Sequence, residues 1–218
     1  MLTINFRELN KAIIHINLII ISLGGLSCNH STINNSKEFI SSETPIAKKE
    51  YPKWVESKEN GLNNLKIINK FNYEIQYKPI EYILAKKNND SLKVSDYDNL
   101  HYIDLKLSHE DFQEYLKIDL AEKDDYYHRL KYFSFEIQND VQLIDGNDTL
   151  KCMFSHFERT YGITPYIKIV MAFEKNIGSK NDLYFSYHDQ VFNNGIIILP
   201  VKNKALKNIP QIKMKNNG

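Results

Sequence analysis

The sequence predicts a mainly β protein: an antiparallel β-sandwich with one short inserted helix. Three observations lead there. Apolar residues through most of the chain recur with a period of two. Strand-favouring aromatic residues are abundant, with 14 Tyr and 11 Phe against 8 Gly and 6 Pro in 218 residues. Two Gly-containing pairs, Gly146-Asn147 and Asn194-Gly195, have the composition of tight hairpin turns.

Each element follows from local pattern. Asn72–Lys78 and Ile80–Lys86 read as strands joined at Pro79, whose missing N–H suits an edge or a bend. Phe133–Gln138 alternates, with Phe133, Phe135 and Ile137 on one side and Ser134, Glu136 and Gln138 on the other. Val141–Asp145 and Thr149–Glu158 flank Gly146-Asn147, a type II′ signal with Gly first. Register from that turn sets Leu143 opposite Leu150 and Val141 opposite Cys152, apolar against apolar.

Tyr166–Phe173 is apolar on both alternating sets except at Lys168, as an interior strand should be. Leu183–Tyr187 alternates again. A second hairpin is expected from Gln190–Phe192 to Ile196–Leu199, through Asn194-Gly195 as a type I′ turn. The inserted helix is expected at Ser108–Lys117, with Ser108 as cap, acids in the first turn, and Phe112, Tyr115 and Leu116 as its apolar face.

The N-terminal stretch speaks for anchorage. A basic start (Arg7, Lys11) precedes the apolar run Ala12–Leu26, which is too short to span a bilayer; Ser27 and Cys28 follow. Residues 1–27 thus read as a signal peptide, and the small residue before Cys28 has the character of a bacterial lipobox, in which the thiol takes a diacylglycerol. Gly25 stands where lipoboxes usually carry Leu, and His15 and Asn17 interrupt the apolar run.

Residues 28–50 form the lipidated cysteine and a polar tether with too little apolar surface to offset chain entropy. A coil of that length spans roughly 25 Å. A single folded domain is expected over 51–210, with a frayed tail at 211–218.

Charge narrows the function. Residues 1–27 hold Arg7, Lys11 and Glu8, so of 28 basic and 27 acidic side chains, 26 of each remain in the mature chain. That balance offers no footprint for nucleic acid. With Cys28 assigned to lipid, Cys152 is left alone, expected as a small inward-facing apolar residue rather than a nucleophile. No structural-zinc spacing, GxSxG elbow, HExxH or Gly-rich phosphate loop occurs, and no cofactor is implied.

Weak catalytic candidates are His156 and Glu158, two residues apart on one strand face, and His188 with Asp189 at a strand end. No third metal ligand is evident, so a strand leaving the core, with Arg159 as ion-pair partner at the rim, explains His156 and Glu158 better. Asp145-Gly-Asn-Asp148 opens like a calcium loop, but His156 stands where an EF-hand needs Glu, and a hairpin accounts for it. Asp96, Asp98, Asp124 and Asp125 read as solvated acids in polar connections. Tyr126, Tyr127, Tyr132, Tyr161, Tyr166, Tyr184 and Tyr187 could form a stacking surface for carbohydrate or a protein, or simply serve as half-buried strand residues.

Taken together, YPKWVESKENGL, FNYEIQYKPIEYI, YFSFEIQNDVQLIDGNDTLKC, HFERTYGITPY and DLYFSYHDQVFNNGIIILP resemble uncharacterised lipoproteins of the Bacteroidetes over about residues 51–210. The resemblance implies an envelope lipoprotein with a β-rich domain, and carries no catalytic residue. Surface-exported lipoproteins of that group often bear an acidic run after the cysteine; here Asn29–Asn34 is uncharged apart from His30, which leaves the membrane face open.

The leading expectation is a non-enzymatic, lipid-anchored interaction or assembly module in the cell envelope, on the outer membrane, with a protein partner. A hydrolase or metal-dependent enzyme using the His156/Glu158 region and a carbohydrate-binding module are the alternatives.

Overall fold

A computed structural model describes residues 45–86 and 99–213. Cys28, the stretches expected as leader and as most of the tether, and Asp96 and Asp98 lie outside the described residues. Two antiparallel sheets pack inner face to inner face. The five-stranded sheet has the order β2 (Asn63–Ile68), β3 (Phe71–Lys78), β4 (Leu100–His109), β8 (Tyr166–Glu174), β7 (Cys152–Glu158). The four-stranded sheet has the order β10 (Gly195–Val201), β9 (Leu183–Asp189), β5 (Val141–Asp145), β6 (Asp148–Leu150). A short parallel pair, β1 (Ile46–Ala47) with β11 (Ile212–Lys213), joins the two ends of the described chain.

Alternation decides the faces. In β3 the residues Phe71, Tyr73, Ile75 and Tyr77 are buried and their neighbours only half-buried, so the strand turns one set inward. β9 and β10 do the same with Phe185 and Tyr187, and with Ile197 and Leu199. The sheets meet through Phe173 edge-on to Phe185 at 6.0 Å and Tyr73 tilted against Tyr187 at 6.2 Å. β8 lies between β4 and β7, the interior strand expected of Tyr166–Phe173.

The Gly146-Asn147 hairpin forms with Leu143 opposite Leu150, and Gly146 takes φ +63°. The expected partnership of Val141 with Cys152 does not form. Val141 faces Tyr187, and Cys152 faces Phe173 in the other sheet. The stretch read as one strand, Thr149–Glu158, crosses between sheets at Lys151 and is irregular between Cys152 and Phe154. A strand that changes sheets keeps its alternation, so periodicity alone does not reveal the crossing.

Other expectations need correction. Ile80–Lys86 is a helix (α2), entered from Pro79, whose carbonyl accepts from Tyr82 N at 3.0 Å. Its Ile80/Ile83 spacing fits a helix as well as its Ile80/Tyr82 spacing fits a strand. Ser108–Lys117 is not the inserted helix. Pairing with β3 and β8 holds Ser108 in β4, opposite Asn72 and Tyr166, and only Tyr115–Lys117 makes a single 3-10 turn.

Among the described residues the longest helix lies further on, at α3 (Lys123–Lys131). Asp125 Oδ2 accepts from Ala121 N at 2.9 Å and Glu122 N at 3.0 Å, so the acid read as merely solvated caps a helix. Phe133–Gln138, expected as a strand, continues α3 through a π-helical turn and a 3-10 turn. Phe133 and Ile137 stand four apart on a helix and are fully buried, while Phe135 is 68% exposed.

Gln190–Phe192 is likewise not a strand. β9 runs to Asp189, and a five-residue loop, with Asn193 at φ +54°, returns to Gly195. The other α-helices among the described residues, α1 (Tyr51–Glu56) and α4 (Asn203–Lys207), are short and bury Tyr51, Val55 and Ala205.

Candidate functional site

The sequence-picked histidines do not converge. His156 follows from β7 alternation: Phe157 turns inward, so Phe154, His156 and Glu158 turn outward from the five-stranded sheet. His156 is exposed, stacked on Phe154 with centroids 6.3 Å apart. His188 is exposed on the outer face of the four-stranded sheet, so the two imidazoles point away from opposite sides of the sandwich.

Asp189 turns the other way, into the core, at 1% exposure. Its carboxylate accepts from Tyr73 Oη, from Asn194 Nδ2 at 3.2 Å, and from Val191 N and Phe192 N at 3.1 and 3.0 Å. Those bonds fold the β9–β10 loop over the core, which is a structural assignment for the presumed half of a dyad. Burial first, then the hydrogen bond and negative charge of Asp189, push the Tyr73 phenol well above its ordinary pKa, so Tyr73 stays a donor.

Glu158 does belong to a constellation. On the outer face of the five-stranded sheet, Lys168 bridges Glu158 at 2.5 Å and Asp104 at 3.7 Å. Lys78 pairs with the same Asp104 oxygen, Lys106 with Glu74 at 3.3 Å, and Lys86 with Glu56 at 2.6 Å. Burial works against the Lys168 ammonium, but the Glu158 hydrogen bond and the charges of Asp104 and Glu158 outweigh it and raise its pKa. These groups line a cleft of about 430 Å³, whose ammoniums and carboxylates are matched one for one. Glu158 pairs with Lys168 rather than with Arg159, the partner expected from sequence.

The outer face of the four-stranded sheet is chemically opposite. Its outward positions are Gln142, Ile144, Thr149, Tyr184, Ser186, His188, Ile196, Ile198 and Pro200, without one carboxylate or ammonium. Cross-strand register sets Ile144 and Pro200 on either side of Tyr184, and Ile198 beside Ser186. Ile196 and Ile198 are 50% and 36% exposed. Lys202, paired with Asp182 at 2.9 Å, lies over the Tyr184 ring at the rim.

The other candidates resolve individually. Cys152 is half-buried; burial raises its thiol pKa, and Sγ donates to Phe154 O at 3.2 Å. In the turn read as a possible calcium loop, Asp145 accepts from Ser179 Oγ at 2.6 Å and Asn181 Nδ2 at 3.0 Å, and Asp148 from Asn176 Nδ2 at 3.0 Å. Among the described residues no three His, Cys, Asp or Glu side chains are grouped to hold a metal ion.

The tyrosines scatter. Tyr187 is buried in the core, Tyr132 donates to Asp140 at 2.8 Å, and Tyr184 lies on the neutral face. Tyr126, Tyr161 and Tyr166 share a hollow of about 240 Å³ with Glu114 and Arg159. Comparison with family models, with curated proteins and with solved structures finds no match. The fold and its surfaces define a β-sandwich whose five-stranded outer face carries ion pairs, with Leu65, Ile67 and Phe154 exposed towards its edges, and whose four-stranded outer face is neutral.

Proposed function

We propose that the protein is a non-enzymatic binding module of the bacterial cell envelope, anchored in the outer membrane through lipid on Cys28, that docks a protein partner on the outer face of β10-β9-β5-β6. The observation that carries this reading is the contrast between the two outer faces. A sheet face left to water is normally dressed in charge, as the middle of the five-stranded sheet is, where ion pairs separate Leu65 and Ile67 at one edge from Phe154 at the other. The four-stranded sheet instead presents Ile144, Tyr184, Ile196, Ile198 and Pro200, and an uncharged, partly apolar exposed face of this kind marks an interaction surface. The leader, the Ser27-Cys28 junction and the polar tether support the anchor, as does the resemblance to Bacteroidetes lipoproteins.

Two experiments test the reading. Cys28→Ser should release the protein from the membrane fraction or block its maturation; normal maturation with full membrane retention refutes the anchor. Crosslinking in intact membranes should give a discrete adduct that Ile196→Glu and Ile198→Glu abolish. His156→Ala, on the opposite face, should leave the adduct intact and change stability by no more than about 1 kcal/mol. An adduct that survives both glutamates, or is lost with His156→Ala, refutes the docking face.

A second reading has one specific observation behind it. The hollow holding Tyr126, Tyr161 and Tyr166 beside Glu114 and Arg159 combines aromatic rings with polar groups in the manner of a carbohydrate subsite. Retention on a polysaccharide matrix that Tyr161→Ala abolishes would favour it.

A further inference from the structure

A hollow of about 240 Å³ lies at the end of β7, between the 3-10 turn Tyr115–Lys117, helix α3 and the loop that carries the chain into β8. Its floor is apolar: Phe157 and Ile167 are buried, and Leu130 stands four residues from Tyr126 on one face of α3. Its rim is aromatic, with Tyr126, Tyr161 and Tyr166. The volume falls below the roughly 300–1,000 Å³ of drug-sized sites and leaves room for about one sugar ring.

The charged side chains lining the hollow are Glu114, Lys117 and Arg159. Two of them cancel: Lys117 Nζ donates to Glu114 Oε1 at 2.9 Å and lies 2.8 Å from Oε2. The Glu114 carboxyl also packs on the loop, since a Cβ on Gly162 would lie 3.3 Å from its Cδ. Arg159 is exposed and forms no ion pair or hydrogen bond among the described residues. Glu158, the carboxylate next to it in the chain, is taken by Lys168 on the outer face. The hollow therefore keeps one uncompensated guanidinium within reach of water.

Tyr161 stands on a turn that projects it. Tyr161 and Gly162 take φ +50° and +76°, and Ile163 N donates to Thr160 O at 2.9 Å across them. A left-handed backbone is costly for a tyrosine. The Tyr161 ring is 84% exposed and packs on no other ring among the described residues, so burial does not offset that cost.

We propose that this hollow binds an anionic sugar unit, a pyranose ring bearing a carboxylate, within a polysaccharide. The proposal rests on the carbohydrate reading above and assigns its ligand class. The Arg159 fork donates two N–H bonds to the carboxylate, a planar match that a neutral sugar does not offer. The C–H face of the ring lies on Tyr161. Glu114, with lone pairs beyond those Lys117 uses, accepts from the ring hydroxyls.

The test is calorimetric titration of the purified full chain with trigalacturonate, its fully methyl-esterified form and tricarballylate. Trigalacturonate should bind saturably. The ester keeps the rings and loses the charge, tricarballylate keeps carboxylates and loses the rings, and each should bind about ten-fold more weakly. Arg159→Leu should weaken trigalacturonate about ten-fold and leave the ester unchanged, whereas Tyr161→Ala should weaken both. Both side chains are exposed, so unfolding midpoints should stay at the parent value. Ester or tricarballylate binding as tightly as trigalacturonate overturns the proposal, as does trigalacturonate affinity that Arg159→Leu leaves unchanged. Absence of saturable trigalacturonate binding overturns it too. Retention on a neutral polysaccharide matrix, lost with Tyr161→Ala, would then leave the carbohydrate reading standing without the anionic ligand.

Discussion

Replacing Gly146 by alanine should destabilise the protein by about 3 kcal/mol, through two separable effects. Gly146 has φ +63°, and an L side chain in that region costs about 1 kcal/mol. The added Cβ would also lie 2.6 Å from Asn181 Nδ2, closer than real Cβ atoms come, and 3.1 Å from its Cγ, so Asn181 must swing away. Its amide donates at 3.0 Å to Oδ1 of Asp145, which is 1% exposed and whose other oxygen has no partner among the described residues. Losing a hydrogen bond to a charged buried group costs about 2 kcal/mol.

Asn181→Ala alone should therefore cost about 2 kcal/mol. The double variant should cost about 3 kcal/mol rather than the additive 5, because the second substitution finds the bond already gone. Urea unfolding followed by fluorescence of Trp54, which packs against the core, reads all three variants as shifts in midpoint at constant slope. A coupling below about 0.5 kcal/mol, or a Gly146→Ala variant as stable as the parent, would refute the argument.

Stability should rise with pH between about 4 and 6.5. Burial, then Lys175, push the His101 imidazole down to about 4, with Asp145 pulling the other way. The unfolded chain therefore binds a proton in this window that the folded chain refuses. The stabilisation is complete above the ordinary histidine value of 6.5 and is lost as pH falls towards 4, worth about 3 kcal/mol in all. His101→Phe should flatten unfolding midpoints across that window, and an unchanged slope would refute the assignment. On the ion-paired face, Lys78 and Asp104 are 14% and 7% exposed. Lys78→Ala should cost about 3 kcal/mol, whereas Lys78→Met with Asp104→Leu should cost less than either single change, as thermal unfolding would show.

What the sequence made legible is what depends on neighbours along the chain. The strands Phe71–Lys78, Val141–Asp145, Tyr166–Glu174 and Leu183–Asp189, and the Gly146 turn with its Leu143–Leu150 register, follow from period and turn chemistry. The failures share one physical origin: short apolar runs satisfy two periods at once. Phe133 and Ile137 lie two strand repeats apart and also one helical turn apart, and only the capped helix entering from Glu122 and Asp125 decides between them. Ser108 has the chemistry of a helix cap, but the β3 and β8 ladders on either side of it outweigh one side-chain bond.

The polar groups that matter most were hidden for a different reason. Asp104 and His101 sit in a single strand, Leu100–His109, in which Ile103, Leu105 and Leu107 alternate with Asp104, Lys106 and Ser108, so its period is legible but the role of its polar groups is not. Their environments are made by residues more than twenty positions away: Lys78 and Lys168 for Asp104, Tyr77 and Lys175 for His101. Glu158 was visible as a strand carboxylate, but its partner Lys168 is assigned by the β7–β8 register, which depends on where the chain crosses sheets at Lys151. One crossing thus decides which face His156 and Glu158 occupy, and with it whether they can meet His188. Because β7 leaves the four-stranded sheet, Glu158 joins Lys168 and Asp104 on the outer face of the five-stranded sheet, while His188 stays on the outer face of the other.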